Sequence, residues 1–274
     1  MLALAMVLPL AVSCGKKGDD SIKVMSYNIR VGHANDGENS WEFRKESVAA
    51  LINAVSPDIF GVQEAFDYQK DFISENSPAY GCVGVGRDDG ASLGEQMAIY
   101  WKTDKYELMD WGTYWLSETP DEPSFGWDAK CRRTATWTRL KEKANGREFF
   151  YVNTHLDHIG VEARKNGLAL VVERVAAMNP DGYPMFLTGD FNVTPDDEAL
   201  VGLDKLMTSA RVSAEQTDNS ITFNAWGDEE HQTVIDYVYY SGMSSCKSFR
   251  VVNEPYLGRA LTSDHYPVVA EIVF

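Results

Sequence analysis

Short runs of apolar, often β-branched residues recur along the chain, and most of them end in polar side chains. Runs of four to six such residues are typical of buried strands, because a strand covered on both faces needs no polar alternation. They predict strands within residues 23–30, 58–65, 97–101, 150–158, 185–192, 234–238 and 268–273. The polar residues that close these runs should therefore lie at or near strand ends.

Two other segments have the spacing of helices. Residues 41–55 follow Asn39 and Ser40, which are typical of a helix start. After Gly160, residues recur on one face at intervals of three and four, namely Val161, Arg164, Leu168, Val171, Val175 and Met178. Arg164 interrupts this apolar stripe, so it either snorkels to solvent or points back to hold Asp157 or Glu95. Helix and strand signals alternate and then strands crowd the C-terminus, which supports an α/β or α+β domain.

The polar residues at the strand ends are of the kinds that perform acid–base and metal chemistry. They are Asn28, Glu64, His155, Asp190, Asn192, Asp236 and the tripeptide Ser263-Asp264-His265. Strand ends that converge on one edge of a sheet build active sites. Singly, each also has an ordinary structural explanation: Glu64 could cap a helix, and Asp190 and Asn192 could form an Asx-turn. An Asx-turn and a catalytic role are compatible.

In this order the residues resemble the endonuclease/exonuclease/phosphatase superfamily, which includes pancreatic-type deoxyribonucleases, deadenylases, inositol polyphosphate phosphatases and bacterial sphingomyelinases. Gly189-Asp190-x-Asn192 and Ser263-Asp264-His265 are the more specific motifs, and the resemblance covers residues 22–274. It implies an α/β fold, a four-layer α/β/β/α sandwich of two mixed sheets, in one domain over residues 21–274. It also implies phosphoesterase chemistry, which the family shares, but not a substrate, which it does not share.

The resemblance implies Asn28, Glu64 and Asp264 as metal ligands. Hard oxygen ligands with few imidazoles and no thiolate cluster favour Mg²⁺, or Mn²⁺ and Ca²⁺, over Zn²⁺. A bound divalent ion would neutralise charge on the non-bridging phosphate oxygens. We therefore expect metal-dependent hydrolysis.

The same resemblance assigns the proton-transfer residues. Asp190 would orient or deprotonate the attacking water, and Asn192 would donate its amide to the developing phosphorane oxygen. Two residues apart in an extended segment, they would lie on the same side. Asp236 stands between apolar neighbours, and a buried acid needs a partner, so we expect it to hold His265 in one tautomer and to favour its imidazolium form.

A second pair, Glu95 with His155, is expected opposite the first, because the nuclease branch joins such residues; Glu95 could equally be an exposed loop acid. Arg87 and Arg133 are candidates for substrate binding, since guanidinium forks match phosphate oxygens, although either one could form a surface salt bridge. The loops at 155–160 and 86–90 depart from the better-known branches and indicate a bacterial subgroup.

Charge narrows the range of partners. The chain has 274 residues, 41 acidic and 25 basic, with a formal net charge of −16. Because binding of nucleic acid without sequence preference depends on counterion release by Lys and Arg, this charge disfavours a nucleic-acid partner. A local basic strip would still permit a nuclease. We expect a monomer that acts on a phosphate ester.

Residues 1–20 have the features of an export signal followed by a polar tether. An apolar stretch too short to span a bilayer ends at Ala11-Val12-Ser13-Cys14, which resembles a bacterial lipobox. It implies cleavage before Cys14, lipidation and attachment of the exported protein to a bacterial membrane, although the usual preceding positive charges are missing. Of the remaining cysteines, Cys82, Cys131 and Cys246, an exported domain could pair two.

These features favour an exported, divalent-metal-dependent phosphoesterase. It would cleave a phosphodiester or phosphomonoester of a small or sugar- or lipid-linked substrate by in-line attack of water. Two alternatives remain: a secreted endo- or exonuclease acting on DNA or RNA, and a non-catalytic binding protein on the same fold. The complete set of acids, amides and imidazoles argues against the second alternative.

Overall fold

The computed structural model describes residues 20–274, so the expected export signal and Cys14 lie outside the described residues. Strands dominate the described part of the chain. They are β1 (Ser21–Asn28), β2 (Ile59–Gln63), β3 (Tyr80–Val83), β4 (Ile99–Lys102), β5 (Tyr106–Trp115), β6 (Thr134–Glu142), β7 (Glu148–His155), β8 (Met185–Asp190), β9 (Thr208–Ser209), β10 (Gln216–Thr217), β11 (Asp236–Ser241), β12 (Ser245–Val251) and β13 (Val268–Val273). The helices are α1 (Trp41–Val55), α2 (Asp67–Asn76), α3 (Val161–Met178), α4 (Leu200–Leu203) and α5 (Ala210–Ser213).

The strands form two mixed sheets. The first has the order β10-β12-β13-β1-β2-β4-β3, and the second has the order β5-β6-β7-β8-β11-β9. The central pairs β1 with β2 and β7 with β8 are parallel, whereas most flanking pairs are antiparallel. Parallel neighbours end at the same edge of a sheet, so the polar residues that follow β1 and β2, or β7 and β8, come together.

Three apolar clusters separate four layers. One cluster fills the space between the sheets and includes Phe149 and Phe186, whose rings meet edge to face with centroids 5.7 Å apart. The second joins the first sheet to α1, and the third joins the second sheet to α3 and α4. Removing a fully buried Phe costs about 3–5 kcal/mol, so Phe149 is a principal support of the interface between the sheets. The predicted α/β/β/α sandwich is confirmed.

The two predicted helices are present. The first spans Trp41–Val55 as expected and ends where Ser56 takes a left-handed conformation with φ of 48°. The predicted stripe of α3 is partly wrong, because Val161 is 57% exposed and the buried face instead includes Ala163 and Gly167. Leu168, Val171 and Val175 are buried in the third apolar cluster as predicted, so only the start of the stripe differs.

Arg164 points back toward the strand end, as one of the two alternatives required. Its Nη1 donates to the backbone carbonyl of Asp157 at 3.2 Å, rather than to the carboxylate. The question of a disulfide, which the sequence left open, is answered for the described residues, where Cys82, Cys131 and Cys246 are free thiols. Over residues 20–274, the helices are too short or too polar for any of them to cross a membrane.

Candidate active site

The polar strand ends meet at one edge of the two sheets. Asn28 ends β1 and Glu64 follows β2 directly, while His155 ends β7 and Asp190 ends β8. In the second sheet His155 and Asp236 are the register partners of Asp190 on its two sides. Asp236 is the first residue of β11 and does not lie within an apolar strand, which corrects the predicted strand position.

Local backbone geometry directs these side chains toward the site. Glu64 and Asn192 have φ of 64° and 52°, a left-handed conformation that is unfavourable for residues other than glycine, and such strain concentrates at functional sites. Gly189 allows β8 to approach β7, because a Cβ at this position would lie 2.2 Å from the carbonyl oxygen of Thr154. A side chain there would separate Asp190 from His155.

Asn28 and Glu64 form the base of the site. The Asn28 amide donates to Glu64 Oε1 at 2.9 Å and to Asp190 Oδ2 at 3.0 Å, and the Val31 N–H donates to Glu64 Oε2 at 2.7 Å. Burial alone would raise the pKa of Glu64, but these hydrogen bonds and the positive charge on His265 lower it. Glu64 is therefore a carboxylate held in a fixed orientation.

Asp264 joins this group from the C-terminal loop. Its Oδ2 lies 3.5 Å from Arg30 Nη1, and Arg30 also binds Asp36 through two hydrogen bonds. The neighbouring Ser263 hydroxyl donates to the backbone carbonyl of Asn28 at 2.8 Å, which ties the C-terminal loop to β1. Burial raises the pKa of Asp264, with the nearby Glu64 adding to the rise.

Asp236 and His265 form the expected pair. His265 Nδ1 lies 2.9 Å from Asp236 Oδ2, and both side chains are almost fully buried. Although burial favours the neutral ring, the charges on Asp236 and Asp190 raise the pKa of His265 to about 10. His265 is thus an imidazolium at neutral pH, and its Nε2 lies 3.7 Å from Asp190 Oδ2.

Asp190 lies between the charged imidazole of His265 and the imidazole of His155, whose pKa is lowered. Burial, with repulsion from Asp236, raises the pKa of Asp190 to about 7. His155 Nε2 lies 3.4 Å from Asp190 Oδ2, but burial and the positive charges of Arg133 and Arg87 hold the pKa of His155 well below its usual value. A carboxyl group that titrates near pH 7 beside a fixed cation is suited to proton transfer.

The predicted pair of Glu95 with His155 is wrong. Glu95 Oε2 instead binds Arg87 Nη1 at 2.7 Å, and the buried Nδ1 of His155 has no hydrogen-bond partner among the described residues. A guanidinium eight residues away in the same loop offers Glu95 a stronger partner than a neutral imidazole does. Both Glu95 and His155 still line one cavity.

The prediction that Asp190 and Asn192 share an extended segment is also wrong. β8 ends at Asp190, and the Asn192 N–H donates to Asp190 Oδ1 at 3.0 Å, which is the Asx-turn that was left open. The Asn192 side-chain amide donates to the carbonyl of Leu156 at 3.0 Å and borders the cavity. The turn brings the amide close to Asp190 despite the change of direction.

The strand ends surround a cavity of about 390 Å³. Most of the predicted residues line it, namely Glu64, Arg87, Glu95, Arg133, His155, Asp190, Asn192, Asp264 and His265. Asn28 and Asp236 lie behind this lining and contact it through Glu64, Asp190 and His265. The sequence interpretation missed the lining residues Arg30, Cys131, His158 and Phe223. His158 lies three residues after His155, in the loop that follows the same strand, and that position was the available signal.

The donor set fits a divalent cation. Glu64, His155 and Asp190 offer ligand atoms within 4.8 Å of one another, and Asp264 lies on the same cavity. Carboxylate oxygens predominate, as hard cations require. Asn28 directs its amide nitrogen toward Glu64 and Asp190, while its oxygen accepts the Arg30 N–H at 2.9 Å. As a ligand, Asn28 would use that oxygen.

Comparisons with known proteins identify the family and the fold. The model of the Endonuclease/Exonuclease/phosphatase family matches residues 25–265. An endonuclease/exonuclease/phosphatase from Bacteroides vulgatus is 35% identical with a TM-score of 0.86, and the match covers 92% of this chain and 98% of that one. A mannosyl-6-phosphatase from Bacteroides thetaiotaomicron is 35% identical with a TM-score of 0.85 over 92% and 100% of the two chains. An uncharacterized protein of Acanthamoeba polyphaga mimivirus is 25% identical over 267 residues, 90% of this chain and 98% of the viral protein.

Proposed function

The chain belongs to the endonuclease/exonuclease/phosphatase family, and from that premise we propose that it is an exported, divalent-metal-dependent hydrolase of small, sugar-linked phosphate esters. The observation that carries the proposal is the chain of contacts from Asp236 through His265 to Asp190 at the wall of a small cavity lined by acidic and basic side chains. These contacts place the imidazolium of His265 beside the carboxyl group of Asp190, whose pKa is about 7.

The residues divide the work of in-line hydrolysis between them. Asp190, about half ionised near pH 7, accepts a proton from the attacking water. The imidazolium of His265 stabilises negative charge that develops on the phosphate, and Asp236 keeps it protonated. Asn192 Nδ2 uses one N–H for Leu156, which leaves the other N–H to donate to a phosphate oxygen.

The metal candidates are Asn28, Glu64 and Asp264, and Asp190 and His155 lie close enough to Glu64 to contribute. A divalent ion such as Mg²⁺ or Mn²⁺ would supply charge neutralisation for the phosphate oxygens. The low pKa of Glu64 keeps that side chain ready for a cation without loss of a proton.

A sugar phosphate is favoured over a polynucleotide. The cavity of about 390 Å³ has the dimensions of a small-molecule site. The net charge of −16 opposes extended contacts with a polyanion. The similarity to a mannosyl-6-phosphatase, at 35% identity over nearly the whole length, supports the same substrate class for this chain.

The test is a substrate panel with purified protein. Phosphate release would be measured from hexose 6-phosphates, nucleotides, phospholipid headgroup esters and DNA or RNA oligonucleotides, with Mg²⁺, with Mn²⁺ and with excess chelator. We expect metal-dependent turnover of at least one sugar phosphate, and loss of turnover in Asp190→Asn. Turnover of all substrates unaffected by chelation, or efficient cleavage of oligonucleotides alone, would contradict the proposal.

Membrane attachment is a separate part of the proposal and depends on Cys14, in the lipobox-like sequence. Expressed in a bacterium with labelled palmitate, the full chain should incorporate label and fractionate with membranes. The Cys14→Ala variant should do neither. Equal labelling of the two proteins would refute the anchor and leave the catalytic proposal intact.

A further inference from the structure

A group of N–H donors without protein acceptors faces the cavity beside the catalytic residues. Arg133 is 6% exposed and lines the cavity, yet its Nε and Nη1 have no hydrogen-bond partner among the described residues. Leaving a charged donor buried and unsatisfied carries a desolvation penalty that no hydrogen bond offsets. Such a guanidinium is explained by a ligand that accepts its hydrogen bonds.

His158 extends this group. Arg133 Nη2 lies 3.1 Å from His158 Nδ1. Because a guanidinium can only donate, Nδ1 must accept, and the proton of the neutral ring then lies on Nε2. His158 also lines the cavity, so a second donor is available next to the guanidinium.

Asp157 holds the loops that carry Arg133 and His158 but accepts no hydrogen bond from either side chain. Its Oδ1 accepts the N–H groups of Ile159 and Gly160 at 3.0 and 2.7 Å, and its Oδ2 accepts those of Lys130 and Cys131 at 3.1 and 3.2 Å. Arg133 Nε is 3.6 Å from Oδ2, which is beyond hydrogen-bond distance. Asp157 therefore fastens the loop before β6 to the loop after β7, and the acceptor capacity of its carboxylate is already used.

We propose that Arg133 and His158, positioned by Asp157, form a subsite for the terminal oxygens of a phosphate monoester and restrict the enzyme to monoesters. The inference rests on the proposed function and makes it more specific. A monoester carries close to two negative charges near pH 7 and has three terminal oxygens. Arg133 and His158 line the same cavity as Glu64 and Asp190, so a phosphate bound there would have donors beside it. A diester has two terminal oxygens and one negative charge, so it offers this subsite one acceptor oxygen and one charge fewer than a monoester.

The selectivity follows from the donors. A site built to hydrogen-bond a group rejects an analogue that lacks it, because the buried donors are left unpaired. Hydrogen bonds to a charged partner are worth about 1.5–3 kcal/mol, so loss of the Arg133 contacts should cost roughly 10- to 100-fold. We expect the wild-type protein to prefer a monoester over a matched diester by at least this factor.

The experiment compares 4-nitrophenyl phosphate with methyl 4-nitrophenyl phosphate, which share a leaving group and differ by one negative charge. Arg133→Met and His158→Ala should raise KM for the monoester by about 10-fold or more and change kcat/KM for the diester by less than about three-fold. Arg132→Met is the matched control, since Arg132 is the adjacent residue, stacks on the exposed ring of Phe125 and is absent from the cavity lining. It should retain the wild-type preference.

Binding of inorganic phosphate, measured by calorimetry at pH 8, separates failure of this inference from failure of the proposed function. Arg133→Met should weaken phosphate binding about 10-fold or more, and Arg133→Lys should recover part of it because the charge is kept while the fork is lost. Equal losses on monoester and diester, or unchanged phosphate binding in both Arg133 variants with melting temperatures near wild type, would overturn the subsite. A protein that binds phosphate in this way but hydrolyses no ester would refute the proposed function alone.

Discussion

Replacing Asp236 by Asn tests whether Asp236 and His265 act as one unit. The substitution keeps the shape of the side chain and removes the negative charge 2.9 Å from His265 Nδ1. The pKa of His265 should then fall from about 10 toward the usual value near 6.5. At pH 8 the fraction of imidazolium would fall, and with it the average positive charge next to Asp190 and the phosphate.

The expected magnitudes follow from these contacts. Proton transfer and charge stabilisation by a positioned side chain contribute about 10²–10⁴-fold to rate, so Asp236→Asn and His265→Ala should each lower kcat by about 10²-fold or more. If the two acted independently, the double variant would lose the product of the two factors. Because they form one unit, it should lose little more than either single variant.

The pH dependence of the free energy of unfolding tests the pair of Asp236 and His265 independently. The folded-state pKa of His265 is raised above the unfolded value, so its stabilising contribution is fully present below about pH 6.5 and is lost as the pH rises through about 10. At roughly 1.4 kcal/mol per pKa unit, the upper limit of this contribution is about 5 kcal/mol. The free energies of unfolding of wild type and Asp236→Asn should therefore converge between pH 7.5 and about 10.

The assay combines kcat measurements with urea unfolding of metal-free protein over this pH range. The range begins above pH 7, since Asp190 with a pKa of about 7 is mostly ionised there and contributes little slope. An Asp236→Asn protein with near-normal kcat would refute the assignment. A free-energy difference that stays constant up to pH 10, or rates that multiply in the double variant, would refute the coupling.

Three further predictions test the metal, the base and the substrate class. Glu64→Gln should raise the Mg²⁺ concentration for half-maximal activity by about 10-fold or more, with a melting temperature within about 4 °C of wild type. A large loss of stability with unchanged metal dependence would contradict this assignment of Glu64 to the metal. Asp190→Asn should lower kcat by about 10²-fold or more at similar KM. The wild-type kcat/KM should decline as the pH falls below about 7, where Asp190 becomes protonated. A flat profile of kcat/KM from pH 5 to 8 would exclude Asp190 as the base. Turnover of the preferred substrate should respond only weakly to salt, because each phosphate contacted would add a slope of about −0.9 to log affinity against log salt concentration. Duplex DNA should be a poor substrate. Efficient DNA cleavage with a steep salt slope would favour the nuclease alternative.

Much of the site could be predicted because its residues follow apolar runs directly. A strand end fixes where the side chains of Asn28, His155 and Asp190 lie, and parallel pairing brings neighbouring ends together. The pairing of Asp236 with His265 was predictable for another reason, since a buried acid beside apolar residues requires a partner. These inferences depend on local sequence and on general costs of burial.

Loop contacts were harder to predict. The partner of Glu95 depends on how the loop from Arg87 to Glu95 folds back on itself, and the loop places Arg87 within 2.7 Å of the carboxylate. The direction of Asn192 depends on a single positive φ that the sequence does not show. The start of the buried face of α3 was misjudged because Val161 is apolar but precedes the part of the helix that packs on the sheet. In each case tertiary contacts outweighed a local preference.

The pairing of β1 with β13 has a consequence for the biosynthesis of the protein. Asn28 stands near one end of the described residues and His265 near the other, and the Ser263 hydroxyl joins the C-terminal loop to β1 by a hydrogen bond to the Asn28 carbonyl. Chains emerge from the ribosome N-terminus first, and contacts of such long sequence separation form late in folding. A chain synthesised only as far as β12 therefore carries Glu64, His155 and Asp190 but lacks Asp264 and His265, so its candidate site is incomplete.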